Sequence, residues 1–170
     1  MEKKLVVLGG GESGVGSAIL GKKERYEVFL SDHGVVQPKY RNVLLNNEIE
    51  FEESGHTLER ILNASIVVKS PGIPNHNSLI QTLKEKGIPV VSEIEWASKF
   101  TDAMLIGITG SNGKTTATSM VHHMLKSVGR NVGLAGNIGF SFAHQVATKD
   151  FDTYVLELSS FQLDDIDTLK

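Results

Sequence analysis

Cysteine is absent from the 170 residues, which excludes a disulfide framework and a zinc–thiolate centre and fits a reducing cytosol. Long hydrophobic runs are absent too, since nothing approaches the roughly eighteen apolar residues that a spanning helix needs. The run Leu5–Leu8 behind Met1-Glu-Lys-Lys is cut short by three glycines and Glu12, so the start does not read as a secretory signal. A cytoplasmic protein without membrane association is expected. Neither sign of charge dominates, and a formal net charge of -3 gives no electrostatic case for binding nucleic acid or a lipid surface. No repeat, low-complexity tract or long linker is evident, and no obligate protein partner is expected. With 40% hydrophobic residues, a chain of this length buries one sizeable core or two small ones.

What is present is organised around Ile106-Gly-Ile-Thr-Gly-Ser-Asn-Gly-Lys-Thr-Thr116, which joins an apolar strand, Met104–Ile108, to an amphipathic helix beginning near Lys114. Gly107, Gly110 and Gly113 are expected to supply backbone conformations closed to other residues and to bring N–H groups close to a ligand. The unpaired amides and positive dipole end of the helix open into the same loop. Gly110, Ser111, Asn112, Gly113, Lys114, Thr115 and Thr116 therefore read as a phosphate-binding loop for ATP or GTP, with Lys114 between two phosphates and the Thr115 hydroxyl on Mg²⁺. The usual first glycine falls on Ile108, so the loop is a variant. A glycine-rich turn without a ligand is the alternative, and it requires a solvated Lys114. Ala117, Met120, Val121, Met124, Leu125 and Val128 predict a core-facing helix ended by Gly129 at C′. The adjacent His122 and His123 project in different directions and are expected at the surface.

The chain opens with a strand, Leu5–Leu8, that runs into Gly9-Gly-Gly-Glu-Ser-Gly14, where Gly9, Gly11 and Gly14 have G-x-G-x-x-G spacing. A helix over about 13–23 and a strand Glu27–Ser31 ending at Asp32 complete a dinucleotide-binding layout. Such a loop holds any nucleotide diphosphate, with Asp32 accepting hydrogen bonds from a ribose or base; a ligand-free turn with a solvated Asp32 gives the same pattern. Residues 33–64 suggest turns at His33, Pro38 and Asn46-Asn47, a short strand Ile49–Phe51 and a helical piece Leu58–Leu62. A strand Ile66–Lys69 precedes the stiff loop Ser70-Pro-Gly-Ile-Pro74, at the sheet edge where α/β proteins bind ligands. A helix Ser78–Lys86, a strand Pro89–Ser92 and a helix Glu93–Lys99 follow. A boundary near residue 100 separates a Rossmann-like unit with a parallel sheet, 1–100, from the first part of a P-loop α/β unit, 101–170.

In that second unit a strand around Asn131–Leu134 leads to the turn Gly136-Asn-Ile-Gly139, and Tyr154-Val-Leu156 delivers Glu157 at its tip. A carboxylate so placed beside a P-loop holds the nucleotide's Mg²⁺, directly or through water; a solvated strand-end glutamate is the plainer reading. Ser159-Ser-Phe-Gln162 then offers hydroxyls and an amide suited to a polar substrate.

Thr109-Gly-Ser-Asn-Gly-Lys-Thr-Thr116, Gly136-Asn-Ile-Gly139 and Leu156-Glu-Leu-Ser-Ser-Phe-Gln-Leu163 together resemble the Mur ligases, the ATP-dependent amino-acid-adding enzymes of peptidoglycan synthesis. The last run is similar to that of the D-glutamate-adding branch. The resemblance covers all 170 residues and makes the variant glycine spacing ordinary. It implies that ATP activates the carboxylate of UDP-N-acetylmuramoyl-L-alanine as an acyl phosphate, which the amine of D-glutamate attacks. On the same resemblance Lys114 is the catalytic cation at the transferring phosphoryl group, Thr115 and Glu157 hold Mg²⁺, and Asn137, Ser159 and Gln162 contact the muramoyl-alanine part. Glu12, Ser13, Asp32, Ser70, Pro71 and Gly72 would form a uridine site, so a loop that reads by spacing as an NAD site becomes a UDP site. The family's enzymes are longer, which implies an N-terminal fragment without turnover whose open sheet edge favours self-association.

Two readings from other classes compete. An NAD(P)-dependent oxidoreductase accounts for Gly9, Gly11, Gly14 and Asp32 but leaves Gly113-Lys-Thr115 and Glu157 unexplained. A non-catalytic nucleotide switch leaves the first unit and Ser159–Gln162 without a role. Within the family, a sister ligase is the nearest rival.

Overall fold

The computed structural model describes residues 3–166 and 168. Two parallel sheets follow one another along the chain. The first has strands β1 (Lys4–Leu8), β2 (Glu27–Ser31), β3 (Glu50–Glu52), β4 (Ile66–Lys69) and β5 (Val90–Ser92) in the order β3-β2-β1-β4-β5. Parallel neighbours require crossovers, and here each is a helix: α1 (Glu12–Lys23), α2 (Pro38–Asn46), α3 (Leu58–Leu62) and α4 (Ser78–Glu85). The near-continuous apolar run of β1 follows from its central place, where Leu5, Val6, Val7 and Leu8 are all buried. Because β2 lies on one side of β1 and β4 on the other, the chain changes direction at β1. In an open α/β sheet the carboxyl edge at such a switch point is where ligands bind. Gly9, Asp32 and Ser70 sit at that edge.

Helix α5 (Glu93–Ser98) leads to the second sheet, β6 (Met104–Ile108), β7 (Val132–Gly136) and β8 (Thr153–Glu157), in the order β6-β8-β7. Its helices are α6 (Lys114–Ser127), α7 (Phe142–Thr148) and α8 (Ser160–Leu163). The sheets share one core, in which Leu5, Val15 and Ala18 of the first unit pack in the same cluster as Phe142, Val146 and Tyr154 of the second. Trp96 anchors it edge-on between Tyr26 and Phe100, at ring separations of 5.2 and 4.7 Å. The closest approach is α1 against the start of α7. A Cβ on Gly16 would lie 2.0 Å from Ser141 Oγ, so only glycine permits it.

Most expected elements form where the pattern places them, including β2, α3, β4 and β6 at their expected bounds. Three expectations are corrected. Pro38 starts a helix, not a turn: it occupies the first turn of α2, where a missing N–H costs nothing, and only Leu44 of that helix is buried, so its periodicity is faint. Gly107 sits inside β6, paired with Leu156, and takes no left-handed conformation; that role belongs to Gly110 and Gly113. Helix α6 does not present its apolar stripe to the core. Thr118 is its one buried residue, while Met120, Met124 and Val128 are 59, 62 and 74% exposed. The helix rests on the sheet through the face carrying Thr118, about a third of a turn from Met124, because the two differ by six residues at roughly 100° each. Gly129 does end it, at φ +79.

Candidate functional site

The loop between β6 and α6 has the geometry of an anion cradle. Gly113 adopts φ +74 at the helix N-cap and no side chain caps α6, so its first-turn amides are left to the loop. Residues 110–113 are exposed, and Lys114, half-buried, donates from Nζ to the Gly110 carbonyl at 2.8 Å. The ammonium is thus folded back over the loop mouth, within reach of solvent and of any anion held there. The requirement for a solvated Lys114 does not separate a bound loop from an empty one, but the uncapped helix start is an observation that fits a phosphate.

Glu157 is the centre of the second unit's site. The last residue of β8, it is only 2% exposed, which excludes the solvated strand-end reading. Its Oε2 accepts from Thr115 Oγ1 at 2.8 Å and its Oε1 from Asn137 Nδ2 at 2.9 Å, while its backbone carbonyl accepts from Asn137 N at 2.8 Å. Register explains the convergence. Glu157 pairs with Ile108 on one side and Gly136 on the other, so the P-loop and the 136–139 turn both leave the sheet beside it. A buried carboxylate next to an alcohol and an amide suits a hard cation with oxygen ligands. Among the described residues no group of three or more acidic or histidine side chains could hold a metal.

Ser159 and Gln162 are brought together, though not as free substrate contacts. They form the capping box of α8: Ser159 Oγ accepts from Gln162 N, and Gln162 Oε1 accepts from Ser159 N and Oγ at 3.0 Å. The S-x-x-Q spacing was itself a helix-start signal. Gln162 is 4% exposed, whereas Phe161 beside it is 70% exposed.

In the first unit, the glycine loop turns tightly enough that a Cβ on Gly14 would lie 1.9 Å from the Gly9 carbonyl oxygen. Asp32 braces the loop: Oδ2 accepts from Gly10 N at 2.5 Å and Oδ1 from Gly34 N at 2.7 Å, leaving one lone pair on each oxygen for a ligand. Ser70 Oγ faces Gly9, buried and without a hydrogen-bond partner among the described residues, an orphan that fits a polar ligand at this edge. Pro71 and Gly72 follow in the open loop. Glu12 is exposed and accepts from Ser141 N at 3.1 Å, so it ties the two units rather than standing free.

Sequence reasoning missed two charged groups. Glu93, at the start of α5, is 2% exposed and its Oε1 accepts from Ser141 Oγ at 2.6 Å and Ala143 N at 3.0 Å. Burial pushes its carboxyl above the usual range despite hydrogen bonds from Ser141, Ala143 and Ser13, and the charge of Glu12 adds to the rise. Lys69 is 3% exposed and paired with Asp165. A lysine ending the apolar run Ile66-Val-Val-Lys69 was the available signal, because a buried ammonium needs a partner. His123 is exposed as expected; His122 is half-buried on a separate cavity of about 500 Å³ between α6, β7 and α7, away from the P-loop.

Residues 4–79 match the model of the MurD N-terminal domain and residues 108–170 that of the Mur ligase middle domain, which between them account for most of the chain. The chain belongs to the Mur ligase family. It is 58% identical over 170 residues to the UDP-N-acetylmuramoylalanine–D-glutamate ligase of Christiangramia forsetii, and 56% identical over 164 residues to that of Bacteroides fragilis. All of this chain is aligned in the first case and 96% in the second, yet it spans only 38 and 37% of those relatives' lengths. Among solved structures it is similar to the UDP-N-acetylmuramate:L-alanyl-γ-D-glutamyl-meso-diaminopimelate ligase of Neisseria meningitides, with TM-score 0.62, 22% identity, and coverage of 92% of this chain and 52% of that one. It also resembles the UDP-N-acetylmuramate–alanine ligase MurC of Thermotoga maritima, with TM-score 0.57, 20% identity, and coverage of 91 and 36%. These two likenesses establish the Mur ligase fold of the paired sheets. No described helix is long and apolar enough to cross a membrane.

Proposed function

We propose that this chain carries the nucleotide-binding and UDP-sugar-binding parts of a cytoplasmic ligase that joins D-glutamate to UDP-N-acetylmuramoyl-L-alanine at the expense of ATP. The carrying observation is the buried Glu157, bonded at once to Thr115 of the P-loop and Asn137 of the 136–139 turn. It sets a metal anchor between the nucleotide loop and the groups assigned to the acceptor substrate. Residues 1–100 form the UDP-binding unit and residues 101–170 the ATP-binding one.

Gly110, Ser111, Asn112 and Gly113, with the amides of Lys114, Thr115 and Thr116, bind the phosphates. Lys114 leaves the Gly110 carbonyl to neutralise charge on the group being transferred, an electrostatic role rather than a nucleophilic one. Thr115 and Glu157 hold Mg²⁺, which when bound draws charge from the phosphate oxygens. Asn137 keeps Glu157 oriented and turns its carbonyl side to the substrate. Ser159 and Gln162 shape the acceptor pocket through their capping box, which fixes how α8 leaves β8. Glu12, Ser13, Asp32, Ser70, Pro71 and Gly72 form the uridine diphosphate end, where the unpartnered Ser70 hydroxyl gains its bond.

Displacement of a fluorescent ATP analogue from the 170-residue chain tests the nucleotide half. Mg-ATP is expected to compete and Lys114→Ala to abolish binding without lowering the melting temperature. Unchanged binding in Lys114→Ala would remove the P-loop from the site.

A further inference from the structure

Lys69 and Asp165 are 96 residues apart in sequence and make a buried ion pair, with side chains 4 and 11% exposed. Among the described residues it is the one ion pair that joins the two units. Lys69 is the last residue of β4, at the carboxyl edge of the first sheet, and its ammonium also donates to the Ile73 carbonyl at 3.1 Å, closing the Ser70–Pro74 loop. Asp165 lies three residues beyond Gln162. Its Oδ1 accepts from Asn75 Nδ2 at 2.7 Å and its backbone carbonyl accepts from Ser92 Oγ at 3.0 Å. One aspartate of the second unit is therefore held by β4, by the loop after it and by the end of β5. This attachment is separate from the one at the start of α7, where Glu12 of α1 and Glu93 of α5 meet Ser141. Together they restrict a rotation that either alone leaves open, and Thr168, bonded to Glu95, adds to them.

We propose that Lys69 and Asp165 are positioning residues, a latch that fixes the separation between the Ser70–Gly72 loop and the Ser159–Gln162 segment. Resting on the UDP-sugar reading given above, the latch sets the span between the uridine diphosphate end and the muramoyl-alanine end of one ligand. A buried pair is a poor source of stability, because desolvation offsets the attraction, but it tolerates few alternative geometries. Its contribution is to fix the arrangement of the two units.

The test titrates UDP and UDP-N-acetylmuramoyl-L-alanine into the 170-residue chain, into Asp165→Asn, and into the double variant Lys69→Met/Asp165→Leu, which leaves no buried charge unpaired. UDP, which touches only the first unit, is expected to bind Asp165→Asn as it binds the parent chain, because Lys69 keeps its bond to the Ile73 carbonyl there, and the longer ligand about tenfold more weakly to both variants. Full affinity for the longer ligand in the double variant, or equal losses for both ligands in Asp165→Asn, overturns the latch. The chain has no cysteine, so spin labels at Glu85→Cys and Ser127→Cys report the separation of the units directly. A narrow distance distribution that broadens in both variants is expected, and an unchanged one refutes the proposal. If the unmodified chain binds neither ligand, the UDP-sugar reading fails while the distance measurement still decides the latch.

Discussion

Replacing Glu157 by glutamine removes its charge and keeps its shape. The new side chain retains an oxygen for Asn137 Nδ2 and offers an amide to Thr115, whose hydroxyl can rotate to accept. Stability should change by less than about 1 kcal/mol, the scale of one exchanged neutral hydrogen bond. Glu157→Ala is different, because Thr115 and Asn137 both lose their partner and the loss should be about 2 kcal/mol. The effect on the metal runs the other way. A unit charge about 4 Å from another contributes roughly 4 kcal/mol at an effective dielectric near 20, and even a third of that is close to tenfold in affinity. Calorimetric titration of ATP with Mg²⁺ and with EDTA separates the two cases. The ratio of affinities should fall at least tenfold in Glu157→Gln at nearly constant melting temperature. An unchanged ratio would mean that Glu157 is a strut between β8 and the 136–139 turn and not a metal ligand.

Gly14→Ala should cost about 1–3 kcal/mol and weaken UDP binding, since its Cβ meets the Gly9 carbonyl with backbone on both sides; denaturant melts of the variant measure it. Glu93 has a raised carboxyl pKa in the fold, so its favourable contribution is complete below the usual 4.5 and is lost as pH rises through the folded value. The chain should thus lose stability relative to Glu93→Gln as the pH rises above 4.5, and parallel urea melts with no divergence would refute this. The uncovered stripe of Met120, Met124 and Val128 should drive concentration-dependent association that Met120→Lys weakens. A single monomer species in sedimentation velocity at high concentration contradicts that.

The fold was legible where physical constraints are local. Apolar runs of about three to five residues ending in glycine or a polar tip identified β1, β2, β4, β6 and β8, and in β1, β2, β4 and β8 burial on both faces leaves no alternation to lose. Glu157 was legible as an acid at the end of β8, while its burial between Thr115 and Asn137 required the register of the sheet. What stayed hidden depends on tertiary partners. Helical periodicity in α6 gives an apolar face but not which face meets the sheet, and the sheet took the side carrying Thr118. Ser159 and Gln162 were visible as polar groups, yet their spacing served the helix start first. Asp32 was legible as an acid at the end of β2, while its bonds to Gly10 and Gly34 required the turn geometry. Lys69 and Asp165 lie too far apart in sequence for pattern to pair them.

Titration of the 170-residue chain with UDP-N-acetylmuramoyl-L-alanine, with NADH in parallel, bears most directly on the proposed ligase. Saturable binding of the UDP-sugar, lost in Asp32→Ala as the Gly9–Gly14 loop loosens, is the expected result. Binding of NADH without the UDP-sugar would contradict it.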